Sequence, residues 1–280
     1  MLVVMDVGNT NITIGIYNGN KLIGNYRLTT KMKRTSDEYG FMITNFLNAS
    51  QVSINDIDDV IVSSVVPKIM HSFLNGIRKY MKKEPIVVGP GIKTGISVKA
   101  ENPKAVGADR IVDAAGAFYA YGGPCLVVDF GTATTYDYVD AQGNFEFGVI
   151  ALGIETSAQA MWTQAAKLPE IEIKKPKSIL NKTTTTSMQA GLVYGYIGQS
   201  EYIIRQFKEE LGCNMKVIAT GGLGKIIYKN TDEIDIYDRD LTFKGLKFIY
   251  EKYISEKKKK EEANKKEASA LSVGRNHLSS

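Results

Sequence analysis

The sequence predicts an α/β protein built from two similar halves, each a mixed sheet flanked by helices. Two observations predict it. One pattern occurs twice: Leu2-Val3-Val4-Met5-Asp6-Val7-Gly8-Asn9-Thr10 and Leu126-Val127-Val128-Asp129-Phe130-Gly131-Thr132-Ala133-Thr134 are each an apolar strand ending in D-x-G-x, followed by a second strand (11–17 and 135–139) and a hairpin turn at Asn18-Gly19 or Gln142-Gly143. Elsewhere strands alternate with helical patterns, which implies crossover connections and helix-covered sheets. Asp6 and Asp129 stand about 120 residues apart, one domain length, so the paired turns are expected to line a cleft between the halves.

The remaining elements follow in order. A third strand is read at 24–29. Residues 37–47 carry Tyr39, Ile43, Phe46 and Leu47 at helical spacing, and 56–64 reads as a helix turn leading into a strand at 60–64. Pro67 opens a helix to about residue 80, and 85–88 is another strand. In the second half, 156–167, 187–211 and 224–228 read as helices, with a strand at 216–220. The expected division is 1–115, 116–253 and a tail, 254–280, whose Lys and Glu blocks lack apolar periodicity and predict a frayed helix ending in disorder.

Composition narrows the chemistry. The chain has 280 residues, 44% of them hydrophobic and 23% charged, enough to bury a core without disulfide staples. Cys125 and Cys213 sit in apolar contexts without ligand spacing, which predicts buried thiols and a reducing compartment. Only His71 and His277 are available, so His-rich zinc chemistry and a Ser-His-Asp triad are poorly served and acid-base work falls to carboxylates. No apolar run reaches the roughly 18 residues of a spanning helix, so a cytoplasmic chain without membrane contact is expected. More than half of the net charge of +5 belongs to the tail, and the body has no basic excess that predicts a nucleic-acid partner.

The doubled turn has a physical logic. Glycine at Gly8 and Gly131 lets backbone N–H groups approach an anion, while Thr10, and on the second copy Thr132, Thr134 and Thr135, add hydroxyl donors. Asp6 and Asp129 beside a bound phosphate would repel it, so they are expected to act through a cation or its waters. Thr220-Gly221-Gly222, between an apolar strand and a helix, offers bare backbone against which a base or ribose can lie. Each turn alone is ordinary turn chemistry. The order phosphate turn, phosphate turn, adenosine turn resembles the actin and sugar-kinase superfamily, which implies two actin-like, ribonuclease H-like halves.

The segment Asn102-Pro103-Lys104-Ala105-Val106-Gly107-Ala108-Asp109-Arg110-Ile111 makes the resemblance narrower: it is similar to the G-x-D-R signature of type III pantothenate kinases and lies in that family's order between D-x-G-N-T (6–10) and D-F-G-T-A (129–133). Further matches are Pro90-Gly91-Ile92-Lys93-Thr94-Gly95, Ala165-Ala166-Lys167-Leu168-Pro169, Met188-Gln189-Ala190-Gly191 and Lys244-Gly245-Leu246, so the resemblance covers residues 1 to about 253. It implies ATP-dependent phosphorylation of the pantothenate hydroxyl, the first step of coenzyme A synthesis, with ATP, Mg²⁺ and a monovalent cation (K⁺ or NH₄⁺). By the resemblance Asp109 is the base; Asp6, Val7, Gly8, Asn9, Thr10, Asn11, Ile12, Thr13 and Thr132 hold the nucleotide; Asp129 ligates the monovalent cation. Gly107, Ala108, Asp109, Arg110 and Thr184 meet pantothenate, Thr184 across a homodimer interface. A carboxylate can take the alcohol proton late in attack without a raised pKa. Arg110 is either a substrate clamp or a structural ion pair. Leu192, Tyr196, Ile203 and Phe207 could supply the apolar face of the dimer, or simply the core of one long helix.

This chain departs from the family on the acceptor side. Ala100 stands where a tyrosine is usual, Phe147-Gly148-Val149-Ile150-Ala151-Leu152-Gly153 replaces G-G-x-I-x-P-G, and Asn181-Lys182-Thr183-Thr184 replaces G-R-N-T. Phosphoryl transfer is thus better marked than its acceptor. Two other readings stand beside pantothenate kinase: a non-catalytic transcriptional accessory protein of the same family, and a kinase of the same superfamily acting on a different alcohol. Feedback by coenzyme A and the role of the tail are not legible in the residues.

Overall fold

A computed structural model describes residues 1–276, with side-chain surroundings through Asn264. The strands are β1 (Leu2–Val7), β2 (Asn11–Asn18), β3 (Lys21–Thr29), β4 (Asp59–Ser64), β5 (Ile86–Val87), β6 (Ser97–Val98), β7 (Cys125–Phe130), β8 (Ala133–Val139), β9 (Asn144–Leu152), β10 (Lys216–Thr220) and β11 (Ile236–Tyr237). The helices are α1 (Ser36–Ala49), α2 (Pro67–Met81), α3 (Ala108–Tyr121), α4 (Ile154–Gln164), α5 (Thr184–Leu211), α6 (Gly224–Tyr228) and α7 (Leu241–Asn276).

They form two mixed sheets, ordered β3-β2-β1-β4-β5 and β11-β10-β7-β8-β9-β6. The repeat read in the sequence is a repeat of pairing. β1 lies antiparallel to β2 and parallel to β4; β7 lies antiparallel to β8 and parallel to β10. In register, Asp6 pairs with Thr13 and Ser63, and Asp129 pairs with Thr135 and Thr220. The two aspartates therefore occupy equivalent places at the C-terminal ends of the central strands, the edge where ligands collect in open α/β sheets.

Alternation along β1 explains the layering. Val3, Met5 and Val7 face α1 and α2, with Tyr39, Ile43, Phe73 and Ile77. Leu2 and Val4 face the other way, into a central core shared with Val112 and Ala115 of α3, Val127 of β7 and Leu246 and Ile249 of α7. A third core packs β7, β8 and β10 against α4 and α5. The helices α3 and α7 thus lie between the sheets and cross at bare backbone. A Cβ on Gly116 would sit 2.7 Å from the Leu241 carbonyl, and one on Gly245 would collide with Val112, which gives the Lys244-Gly245-Leu246 motif a packing reason.

Local signals set the helix starts. Thr35 and Glu38 form a reciprocal capping box at α1, and Pro67 occupies the first turn of α2. Several expectations shift. The helix turn expected within 56–64 is a 3₁₀ turn at Ile54–Asp56, and the strand begins at Asp59. The strand β9 was not expected, because its hydrophobic residues do not alternate: Phe147, Val149, Ile150 and Leu152 are all exposed. The tail was expected to begin as a frayed helix, and its residues through Asn276 are the continuation of α7, where Lys and Glu four residues apart support a helix. Residues 277–280 of that tail lie outside the described residues. Both cysteines are free, Cys125 buried and Cys213 partly so, and among the described residues no helix is long and apolar enough to cross a membrane.

Candidate active site

The two D-x-G turns meet face to face. The hydroxyls of Thr10 and Thr132, 122 residues apart, lie 2.8 Å from one another across the cleft. Gly8, Asn9, Thr10, Asn11 and Thr13 on one side and Gly131, Thr132, Ala133 and Thr135 on the other line a cavity of about 460 Å³, whose floor includes Asp6, Asp109, Asp113 and Asp129. A second cavity of about 470 Å³ continues past Thr220, Gly221 and Gly222 toward Lys225, Tyr237 and Arg239. Asp6, Thr13, Arg27, Asp129, Gly222 and Thr242 line both, so the two cavities are one cleft.

The turns serve differently from the expectation. The Gly8 N–H is bonded to the Asn11 carbonyl at 3.0 Å and the Gly131 N–H to the Ala133 carbonyl at 3.1 Å, so these donors close the turns. Among the described residues no backbone acceptor takes the N–H groups of Asn9, Thr10 or Thr132, and these are the donors left for an anion. Val7 and Ile12 are fully buried in the core, and Thr134 is buried with its hydroxyl unpartnered. These three follow the inward face of their strands and bring no side chain to the cleft. Gly221 is required for a different reason: its φ is +88°, and a Cβ there would stand 2.5 Å from Asp129 Oδ1 and 2.6 Å from the Phe130 carbonyl oxygen. The Gly221-Gly222 turn is therefore pressed against the second D-x-G turn.

Four carboxylates share the floor. Ser63 donates a 2.6 Å hydrogen bond to Asp6, and Thr242 donates one of 2.7 Å to Asp113. Burial pushes Asp6 up to about 7, opposed by the Ser63 bond and reinforced by the charge of Asp109. Burial, then the charges of Asp109, Asp6 and Asp137, push Asp129 up to about 7. Asp113 is also raised, by burial and by Asp129. Asp109 stands in the first turn of α3, where its carboxylate accepts the Arg110 N–H at 2.8 Å. Burial raises its pKa, against the pull of that bond and of the Arg110 charge, which brings it closer to the range of an efficient base than the sequence required.

This crowding has a measurable consequence. A carboxyl whose folded pKa lies above its unfolded value of about 4 destabilises the fold once ionised. The contribution of Asp6 and Asp129 is thus favourable at low pH and is lost between about 4 and about 7. The ligand-free protein is expected to lose thermal stability from pH 5 to 7.5, and Asp129→Asn to lose less over the same range. Parallel melting curves for the two proteins would contradict the burial penalty on the Asp129 carboxylate.

Arg110 does not reach freely into the cleft. Its Nε lies 3.0 and 3.1 Å from the two carboxylate oxygens of Asp137, its Nη2 also bonds Asp137, and its guanidinium lies over the Phe145 ring. The ion pair is thus present in the chain, while Arg110 also lines the cleft. Thr184 begins α5, exposed and away from the residues that line the cleft, so the chain by itself does not bring it to Asp109. Leu192 and Tyr196, read as either a dimer face or the core of one long helix, are buried in their own core, with Ile203 and Phe207 packed against it.

Sequence reasoning missed Arg27, Lys31, Asp113, Glu155, Thr156, Thr242, Lys225 and Arg239, all of which line the cleft. Asp113 had a signal: it stands four residues after Asp109 on one helix and shares its face. Thr242 had none.

Two mixed sheets whose D-x-G turns meet over an acidic cleft define the fold class of the molecule. Solved structures share the fold: an activator of 2-hydroxyisocaproyl-CoA dehydratase from Clostridium difficile with bound ADPNP (TM-score 0.52, 11% identity, covering 94% of this chain and 97% of that one), and a protein provisionally assigned as a 2-dehydro-3-deoxygalactonokinase from Sinorhizobium meliloti (TM-score 0.53, 12% identity, 89% and 96%). The family model for type III pantothenate kinase matches residues 2–206. A type III pantothenate kinase from Agathobacter rectalis is 58% identical over 251 residues, 89% of this chain and 96% of the relative, and one from Bifidobacterium longum subsp. infantis is 54% identical over 250 residues, 89% and 98%. The chain belongs to the type III pantothenate kinase family.

Proposed function

We propose that this protein transfers the γ-phosphoryl group of ATP to the primary hydroxyl of pantothenate, making 4′-phosphopantothenate and ADP. The observation that carries the reading is the meeting of the two phosphate turns beside Asp109, in a chain more than half identical to pantothenate kinases over most of its length. In this reading the N–H groups of Asn9, Thr10 and Thr132 and the hydroxyls of Thr10, Thr13 and Thr132 hold the phosphates, and the Gly221-Gly222 turn receives the adenosine. Asp109 accepts the alcohol proton as the alcohol oxygen bonds to the γ-phosphorus and the bond from that phosphorus to the bridging oxygen of ADP breaks. Gly107, Ala108 and Arg110 form the acceptor side, with the Arg110–Asp137 pair fixing the first turn of α3 rather than gripping substrate.

Among the described residues no three acidic side chains are gathered closely enough to hold an ion by themselves, so a cation here would share its coordination with the triphosphate and water. Burial and the charge of Asp109 raise both Asp6 and Asp129, and no Lys or Arg pairs with either among the described residues. Mg²⁺ beside Asp6 and K⁺ or NH₄⁺ on Asp129 would neutralise that charge and spread the charge of the triphosphate. A homodimer bringing Thr184 of the partner subunit to the acceptor is supported by the stretch of β9 that the short strand β6 leaves unpaired, where Phe147, Ile150 and Leu152 are 51%, 62% and 63% exposed.

Mass spectrometry of a reaction containing ATP, magnesium, potassium and pantothenate tests the activity, and light scattering of the same preparation tests the dimer. Phosphopantothenate with stoichiometric ADP is the expected outcome. ADP formed only with other alcohols would reassign the acceptor, and no turnover with any alcohol would favour the binding-only relative.

A further inference from the structure

Five cations line the cleft, and they divide sharply. Arg110 is paired with Asp137. Arg27, Lys31, Lys225 and Arg239 pair with no carboxylate among the described residues, although Asp6, Asp109, Asp113, Asp129 and Glu155 line the same walls. Cations left unpaired beside surplus carboxylates are placed for an anion that arrives from outside. Among the four, Lys31 lines only the cavity that holds Asp109, and Lys225 and Arg239 line only the adenosine side. Arg27 lines both.

Its position is set by the sheet. β3 is the edge strand beside β2, and Arg27 stands in register with Thr13 on the strand that leaves the first phosphate turn. Asn25, Arg27 and Thr29 alternate onto the exposed face of β3, while Tyr26 and Leu28 turn inward. A phosphate chain running from the Gly221-Gly222 turn to Asp109 has to pass the junction where Arg27 stands.

We infer that Arg27 is a further catalytic residue: its guanidinium clamps the phosphate chain where the two cavities meet and takes up the charge that builds on the β-phosphate as ADP departs. The inference rests on the nucleotide reading of the cleft. The balance of the step is the one already given: the proton goes to Asp109, the new bond forms between the alcohol oxygen and the γ-phosphorus, and the electron pair of the broken bond stays on the β-phosphate oxygens, opposite the planar fork of donors that suits them.

The test compares the full-length wild type with Arg27→Gln and Arg27→Lys, by calorimetric titration with ADP and with AMP and by initial rates with ATP and pantothenate. Arg27→Gln is expected to weaken ADP about tenfold or more, leave AMP within about twofold, and lower kcat about 10²- to 10³-fold, as loss of a preorganised charge contact does. Arg27→Lys should regain part of the ADP affinity and less of kcat, since an ammonium cannot make the bidentate contact. Variants that keep wild-type ADP affinity and kcat would overturn the clamp, and so would ADP and AMP weakened alike in a protein with an unchanged melting temperature. A wild type that binds ADP but makes no phosphopantothenate refutes the acceptor, and the ADP and AMP titrations then judge Arg27 alone.

Discussion

Asp109→Asn is expected to lower kcat about 10³-fold or more while leaving ATP affinity within a few-fold and the melting temperature unchanged or slightly raised. The amide keeps the shape and can still accept the Arg110 N–H through its oxygen, so α3 retains its first turn. What is removed is the only carboxylate that stands both in the α3 signature and on the wall of the phosphate cavity, and with it the acceptor for the alcohol proton. General-base loss is worth about 10²- to 10⁴-fold. The melting temperature should not fall, because burial disfavours the charged form of Asp109 and that charge also raises Asp6 and Asp129; neutralising it relieves both. Steady-state rates, a nucleotide titration and a thermal melt together check the result. A variant that turns over at near the wild-type rate would transfer the base role elsewhere, and one that loses nucleotide binding and rate in parallel would make Asp109 part of the phosphate cradle.

Arg110→Met is expected to destabilise the protein by about 3–5 kcal/mol, the usual cost of leaving one partner of a buried ion pair alone. That is a fall in melting temperature on the order of 10 °C for a chain of this size. Asp137, with 2% of its side chain exposed, would keep a charge with no cation beside it. Gly148 leaves no slack for another arrangement, since a Cβ there would run into the Arg110 guanidinium and stand 2.8 Å from Asp137 Oδ1. The double variant Arg110→Met with Asp137→Leu should recover most of the stability, a coupling that a double-mutant cycle measures directly. If Arg110 were instead a free substrate clamp, the single variant would raise KM for the acceptor with little change in melting temperature, and the second substitution would rescue nothing.

Both predictions use residues that could be named from sequence, yet their roles needed the fold to differing degrees. The G-x-D-R segment is local, whereas the helix α3 whose first turn presents Asp109 was not among the elements read from the sequence. Arg110 looked equally like a clamp or an ion pair, because its partner Asp137 is 27 residues away on β8 and nothing in the spacing joins them. The apolar stripe of α5 stayed open between two readings for a similar reason. Helical periodicity identifies an apolar stripe on α5 but not what covers it, and Tyr196 turns out to bond Ser157 and the Leu152 carbonyl of its own chain. A run of exposed apolar residues lies on β9 instead, along the stretch that the short strand β6 leaves unpaired, and continuous hydrophobics there carry no alternation to read.

What the amino-acid order settles alone is whatever neighbours in the chain can enforce: strand, tight turn and strand twice over, the capping box at Thr35, the Gly-Gly turn after β10, and the G-x-D-R segment that carries Asp109. Which of these meet is a property of the folded chain. Thr10 touches Thr132, Gly221 presses on Asp129, and Thr242 of α7 reaches Asp113 because α3 and α7 cross between the two sheets at glycines too small to hold them apart. Turns are fixed by steric and hydrogen-bond terms within a few residues, whereas a cleft floor of four like charges exists only because burial of the central core outweighs their repulsion.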